Sequence, residues 1–423
     1  MEKGRTSKTL DKTIQIADCV FFGAFLVAIT VLLWRLVICQ AIYAGRSDGY
    51  LSDILAYMQE MQGIESGYSF PYPLFFTMGR LFNRFMPIGT AVALSEVILN
   101  GLAVVFTKYY FDKEIRRNLG NDKSFVYLLS TVAVICCFVM SMWWLPRFGK
   151  ITLPWKDQAF VGTFTGNPWH NATYIATRPF AVVCFFSFIN VLRTYETKIK
   201  VIDACIFTLS LFLTTITKPS FTIVLLSAAG LVWIVRLIKA RFTTIKQSLL
   251  VLVCLIPTVI DLIYQFGGVF GDGNEEEVHG IGFTFFEVWK GHNPNVAAAV
   301  FYANVFSLVC LVIMFKELKK DELYRFGSFF FLISFLEAGL LCEKGKRFTH
   351  FNFCWGYMHG IFFLQAVSLI KLVRATVTRR YRWYVILLLW LALLSQVVAG
   401  AVYFWYIYCG RDYKTLLPMT WIE

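Results

Sequence analysis

The chain has 423 residues, 57% of them apolar and 17% aromatic, and a formal net charge of +13. This composition excludes an ordinary soluble protein. The positive charge falls mostly on short connections between apolar runs, so it speaks for membrane topology; no nucleic-acid motif accompanies it.

Met1 to Lys12 carries Lys3, Arg5, Lys8 and Lys12 and is expected on the cytoplasmic side. The first apolar run is too long and too weakly punctuated for a cleaved signal peptide and is read as an anchor. Runs able to cross a hydrocarbon core of about 30 Å recur over roughly 16–40, 86–110, 125–145, 178–195, 200–217, 220–238, 248–267, 296–315, 326–342, 353–371 and 383–408. The expected fold is therefore an all-α polytopic membrane protein of about eleven transmembrane helices, a single integral membrane domain over residues 1–423 with no separate soluble domain. Its N-terminus is expected in the cytoplasm and its C-terminus outside. On this topology the inner side holds 25 of the 40 Lys and Arg, and the outer side 14 basic and 13 acidic residues. The eleven cysteines, Cys136 and Cys137 among them, fall mostly inside spans without metal-ligand spacing and read as small apolar residues. A Cys342–Cys409 bridge on the outer side is left open.

The first outer loop, residues 41–85, holds two amphipathic stretches. In Tyr43 to Glu65, Leu51, Ile54, Leu55 and Met58 gather on one side of a helical wheel, with Asp53, Tyr57 and Glu60 roughly opposite. In Tyr72 to Phe85, Leu74, Met78, Leu81, Phe82 and Phe85 oppose Arg80 and Arg84. Both are expected to lie in the membrane interface. Asp53 is thereby lifted off the lipid, either as a solvated carboxylate or as the base of an active site; the second is the working expectation, with Asp48 as the alternative base.

Further along, Trp169-His170-Asn171-Ala172-Thr173-Tyr174, followed by Arg178-Pro179 at the mouth of a span, combines aromatic faces, amide donors and a cation, a mixture suited to a sugar and its phosphate. Asn171-Ala172-Thr173 is also a glycosylation sequon. Lys218-Pro219-Ser220 separates two spans with almost no loop, so Lys218 either snorkels to headgroups or turns towards an anionic ligand. Glu343, Lys346, Arg347, His350 and Asn352 cluster at the outer end of two spans, where Arg347 offers a two-pronged contact to a phosphate; binding of bulk lipid is the bland alternative. Acidic residues inside spans need partners: Asp18, Glu96 and Asp261 are the cases, Glu337 lies nearer the outside, and Asn100 is the expected partner of Glu96. All five histidines, His170, His279, His292, His350 and His359, fall in or beside outer segments. Asp272 and Glu275 to Glu277 read as a solvated loop tip.

The leading anchor, the outer loop with two interfacial helices and an acidic residue, and the outer cations on later spans resemble the GT-C class of membrane glycosyltransferases. Locally, Ser52-Asp53 to Tyr57, Trp169 to Tyr174 with Arg178-Pro179, Lys218-Pro219-Ser220 and Arg347 to Trp355 are similar to segments of bacterial membrane proteins grouped with that class. The paired acids of several GT-C families are not matched: Asp48 and Asp53 have four residues between them rather than one. The resemblance implies transfer of a sugar from a polyprenyl-phosphate donor to a glycan or lipid acceptor hydroxyl, on the outer side of a bacterial plasma membrane, in polysaccharide biosynthesis of the cell envelope. It implies Asp53 as base, Lys218, Arg347 and Arg178 on the donor phosphate, and Trp169, His170, Asn171, Tyr57, His350, Asn352 and Glu343 around the substrate. No cofactor is implied, and the need for a divalent metal is left open. A polysaccharide polymerase or ligase using a lipid-diphosphate-linked glycan is an alternative. A transporter or flippase of lipid-linked sugar, with Glu96 and Asp261 on its pathway, is another; no repeated half and no matched pair of broken helices is evident for it.

Overall fold

The computed structural model describes residues 2–117, 119, 125–143, 164–270 and 280–411. Its helices, in chain order, are α1 (Glu2–Ile42), α2 (Ile54–Gln62), α3 (Leu74–Asn83), α4 (Ile88–Arg116), α5 (Phe125–Val139), α6 (Ala172–Thr194), α7 (Val201–Thr215), α8 (Ser220–Lys239), α9 (Ile245–Val253), α10 (Ile256–Phe270), α11 (Glu287–His292), α12 (Val296–Ala303), α13 (Val305–Ile313), α14 (Glu322–Leu340), α15 (Cys354–Thr378) and α16 (Trp383–Tyr408). Two three-residue strands, β1 (Ile281–Phe283) and β2 (Leu341–Glu343), pair antiparallel, Gly282 opposite Cys342.

Among the described residues seven helices are long and apolar enough to cross a membrane, and up to nine spans result if each of two bent pairs counts as one. The protein is thus a mostly helical integral membrane protein. The pairs are α9 with α10, bent by 51°, and α12 with α13, bent by 78°. Continuous spans were expected over 248–267 and 296–315. Pro257 follows the first break, where the missing N–H cannot continue an unbroken helix, and Asn304 caps the second, its Nδ2 donating to the Val300 carbonyl at 2.9 Å. At 15 residues each, α5 and α7 are shorter than an untilted crossing requires.

Burial separates the centre of the bundle from its rim. In α6 and in the span containing α15, 83% of the most apolar window is buried, against 17% in α1 and 28% in α16. A helix that is apolar all round and covered all round belongs in the middle, and α15 accordingly packs on α5, α8, α13 and α14. Small residues permit the closest approaches: a Cβ on Gly400 of α16 would stand 1.8 Å from the Val139 carbonyl oxygen.

Ion pairs tie the helix ends away from the site. Arg193 at the end of α6 holds both carboxylate oxygens of Glu114 at the end of α4, at 2.8 and 2.9 Å. Arg236 of α8 pairs with Glu322 of α14, and Lys371 of α15 bonds Glu317 at 3.1 Å and Asp321 at 3.0 Å. Asp18 lies 3.1 Å from Lys108 and accepts from Thr131 at 2.6 Å. Asp261 accepts from Gln265. Glu96 departs from expectation: it does not bond Asn100, whose Oδ1 instead accepts from Arg178 at 2.8 Å. All eleven cysteines are free thiols, so Cys342 and Cys409 are not bridged.

Candidate active site

The first short helix of the outer loop is built differently from the wheel drawn on the sequence. Asp53 is the N-cap residue of α2, and the buried face is Ile54, Tyr57 and Met61, leaving Leu55 exposed. Tyr57 turns inward because its ring finds Phe70, Phe75 and Phe76 at 5.5 to 6.1 Å and its hydroxyl finds polar partners. In α3 the buried residues are Phe75, Phe76 and Gly79, and the apolar Leu81 is half exposed, so the inward stripe is displaced from the one expected. Arg80 pairs with Glu60 at 2.8 Å and joins the two helices.

Asn171 organises the centre. It caps α6, its Oδ1 accepting from the Tyr174 backbone N–H at 2.8 Å. The same Oδ1 accepts from Lys218 Nζ at 3.1 Å and from Thr173 Oγ1 at 3.0 Å. Its Nδ2 donates to Asp53 Oδ2 at 2.5 Å and to the Tyr57 hydroxyl at 2.8 Å. One amide therefore bridges a carboxylate and an ammonium group. Asp53 does not cap its own helix with its side chain, and its backbone N–H donates to the His170 carbonyl at 3.2 Å, holding the first loop against the start of α6. Being 2% exposed and fully engaged, Asn171 is not presented as a glycosylation acceptor.

Lys218 is 6% exposed, donates also to Thr173 Oγ1 at 3.1 Å, and lies 4.0 Å from the centre of the Trp355 ring. Burial lowers it from 10.5 to about 8, with the Asp53 charge acting in the opposite direction. Burial first, and the Asp53 charge second, raise the Tyr57 phenol well above its ordinary value, so it remains a neutral hydrogen-bonding group. Tyr72 is raised for the same two reasons and feels the charge of Arg347. The N-terminal ends of α6, α8 and α15 converge here, and their partial positive charges favour an anion.

The remaining expected residues divide by depth. Trp169 is buried edge-to-face against Phe404, and the His170 ring lies 5.9 Å from Trp355. Arg347 is half-buried, 3.9 Å from Glu343, and Asn352 donates to Glu343 at 2.7 Å. His350 is exposed, its ring 6.4 Å from Tyr68. These four form a rim beside the Asp53–Lys218 centre, linked to it through Tyr68, Phe70 and Tyr72. Asp48 is exposed in the turn after α1. Arg178 is displaced from its expected place. Because the Asn171 cap starts α6 at Ala172, Arg178 sits in the second turn, fully buried, with its guanidinium committed to Asn167 at 2.6 Å and Asn100 at 2.8 Å. His279, Asp272 and Glu275 to Glu277 lie outside the described residues. Sequence reasoning missed Thr173, Tyr72 and Trp355 as members of the centre; Thr173 and Trp355 stood inside quoted patches, and Tyr72 had no signal beyond its place in an amphipathic stretch.

Two grooves lie elsewhere and neither is lined by Asp53, Lys218 or Arg347. One, of about 500 Å³, runs along α12, α13 and α14 with Lys290 at its edge; the other, of about 540 Å³, lies between α7 and the α9–α10 break. Compared with known proteins, the chain matches no family model, no curated sequence and no solved structure.

Proposed function

We propose that the protein is a GT-C-like membrane glycosyltransferase that moves a sugar from a polyprenyl-phosphate donor to an acceptor hydroxyl on the extracytoplasmic face of a bacterial plasma membrane. The supporting observation is the Asp53–Asn171–Lys218 bridge, with a proton acceptor and a cation held at opposite ends of one amide where three helix N-termini meet. In the proposed topology the two bent pairs and the two shorter helices α5 and α7 also cross, which brings the count to eleven, with the N-terminus inside and the C-terminus outside. The ion-paired basic ends of α4, α6, α8 and α15 then face the cytoplasm.

The acceptor oxygen attacks the anomeric carbon as Asp53 takes its proton, and the bond from that carbon to the phosphate oxygen breaks with inversion. Lys218 stabilises the charge that collects on the departing polyprenyl phosphate, and Arg347 on the rim receives the same headgroup. Trp355, Tyr72 and the His170 ring border the sugar. Arg178 supports the wall from within and makes no contact with donor. The test is transfer from a radiolabelled polyprenyl-phosphate hexose by the purified protein in liposomes; absence of transfer across a panel of such donors and lipid or glycan acceptors would sink the reading.

The two bent pairs favour a second reading, transport of a lipid-linked sugar, because breaks at membrane depth line pathways in many transporters. It is separated from the first by the same liposomes: a transporter moves labelled lipid between leaflets without forming a new glycosidic bond.

A further inference from the structure

Below the Asp53–Lys218 centre lies a second polar cluster that the transfer reading leaves unused. Glu96 and Asn100 stand one turn apart on α4, and Arg178 faces them from α6; the three are 1%, 0% and 0% exposed. Arg178 Nη1 and Nη2 are occupied by Asn167 and Asn100. What remains is complementary yet unjoined: Arg178 Nε and Asn100 Nδ2 are buried donors, Glu96 Oε1 and Oε2 are buried acceptors, and none of the four has a hydrogen-bond partner. Glu96 and Arg178 nevertheless lie within reach of each other's charge. The Trp169 indole, 5.6 Å from the Arg178 guanidinium, adds Nε1 as a third buried donor without a partner.

Unpartnered polar atoms at such depth are rare in folded proteins because they forfeit their hydration for nothing. A ligand that satisfies them must both donate and accept. A cation is repelled by Arg178, an anion by Glu96, and an apolar molecule satisfies neither; water does both. We propose that Glu96, Asn100, Arg178 and Trp169 hold a small cluster of ordered water inside the helix bundle, joining the Glu96 carboxyl group to the Arg178 guanidinium. The cluster lies directly under Trp169 and so helps to hold the turn that ends in Asn171. It is independent of what the site above it does.

Brief X-ray radiolysis of the purified protein turns ordered water into hydroxyl radicals that oxidise the nearest side chains, which mass spectrometry then locates. Phe138, whose ring lies 5.1 Å from the Arg178 guanidinium, and Trp169 are expected to oxidise at least about tenfold faster than Phe363, which is equally buried but surrounded by Phe185, Phe221 and Phe330. Glu96→Gln, which still donates and accepts, keeps this labelling, and Glu96→Leu loses it. Labelling of Phe138 and Trp169 no faster than that of Phe363 in the unaltered protein overturns the proposal, and this comparison stands even where Glu96→Leu fails to fold. Labelling that persists unchanged in a folded Glu96→Leu, or vanishes in Glu96→Gln, also overturns it.

Discussion

Lys218 is the residue on which structure and function pull apart most measurably. The residue is 6% exposed, and burial lowers its proton affinity from 10.5 to about 8 despite the neighbouring Asp53. At about 1.4 kcal/mol for each factor of ten, that fall is a penalty on the order of 3 kcal/mol for keeping the charge inside at neutral pH. Between pH 8 and 10.5 the unfolded chain binds the proton and the folded protein has released it. The unfolded state therefore holds more protons, and stability rises with pH across this window while staying flat below it. Lys218→Met removes the charge while keeping most of the volume over the Trp355 ring. We predict that it is more stable than the parent at pH 7 by about 1–3 kcal/mol, the burial penalty less the hydrogen bonds lost, lacks the rise between pH 8 and 10, and has lost transfer activity. Unfolding in detergent micelles at pH 7.0 and 9.5, followed by tryptophan fluorescence, reads both stabilities. A Lys218→Met protein less stable than the parent by more than about 1 kcal/mol at pH 7 would refute the reasoning, because the ammonium would then be a net source of stability.

Removing the bridge has the opposite sign. Asn171→Ala loses a helix cap and the hydrogen bonds to a buried ammonium and a half-buried carboxylate, an expected cost of about 3–5 kcal/mol, whereas Asn171→Ser restores the cap and recovers about 1 kcal/mol of it in the same unfolding assay. With Lys218 required in its charged form, transfer declines as pH rises through about 8, and Lys218→Arg carries activity to higher pH where it folds; identical alkaline limbs for the two proteins would count against the role. Gly400→Ala drives a methyl group into backbone atoms of Val139 and Ser141 that cannot rotate away, so its thermal midpoint falls, by at least about 1–3 kcal/mol of stability. Glu114→Gln strips the two-point contact from Arg193 and is expected to destabilise by about 3 kcal/mol in the same assay.

The parts of the site that were legible in the sequence are those whose chemistry is conspicuous against an apolar background. Asp53 stood out on the polar side of an amphipathic stretch, Asn171 in a patch of aromatic, amide and cationic residues, and Lys218 between two apolar spans, and the fold brings these three together through side chains rather than through neighbouring positions. The errors have a common physical source in helix starts. Periodicity alone placed the span containing Arg178 to begin at that residue, but the Asn171 side chain begins the helix at Ala172 and carries Arg178 into the core. The wheel of α2 likewise put Tyr57 with the acids, although its hydroxyl, satisfied by Asn171 and Thr173, makes it a core residue. The choice of Asn100 as the partner of Glu96 followed from i, i+4 spacing, but Asn100 Oδ1 accepts from Arg178 of another helix and its Nδ2 makes no bond to Glu96. The bends fall just before Pro257 and at Asn304, single residues that a hydropathy window averages over, so each bent pair reads as one continuous span in the sequence.

The most direct measurement of the central claim is transfer by Asp53→Asn, which keeps the shape of the side chain and removes its ability to accept a proton. In liposomes with a radiolabelled polyprenyl-phosphate hexose that the parent protein turns over, the variant is predicted to lose at least about a hundredfold in rate while retaining its fold and its binding of the donor. Turnover by a folded Asp53→Asn at the parent's rate would contradict the assignment of the carboxylate as the base.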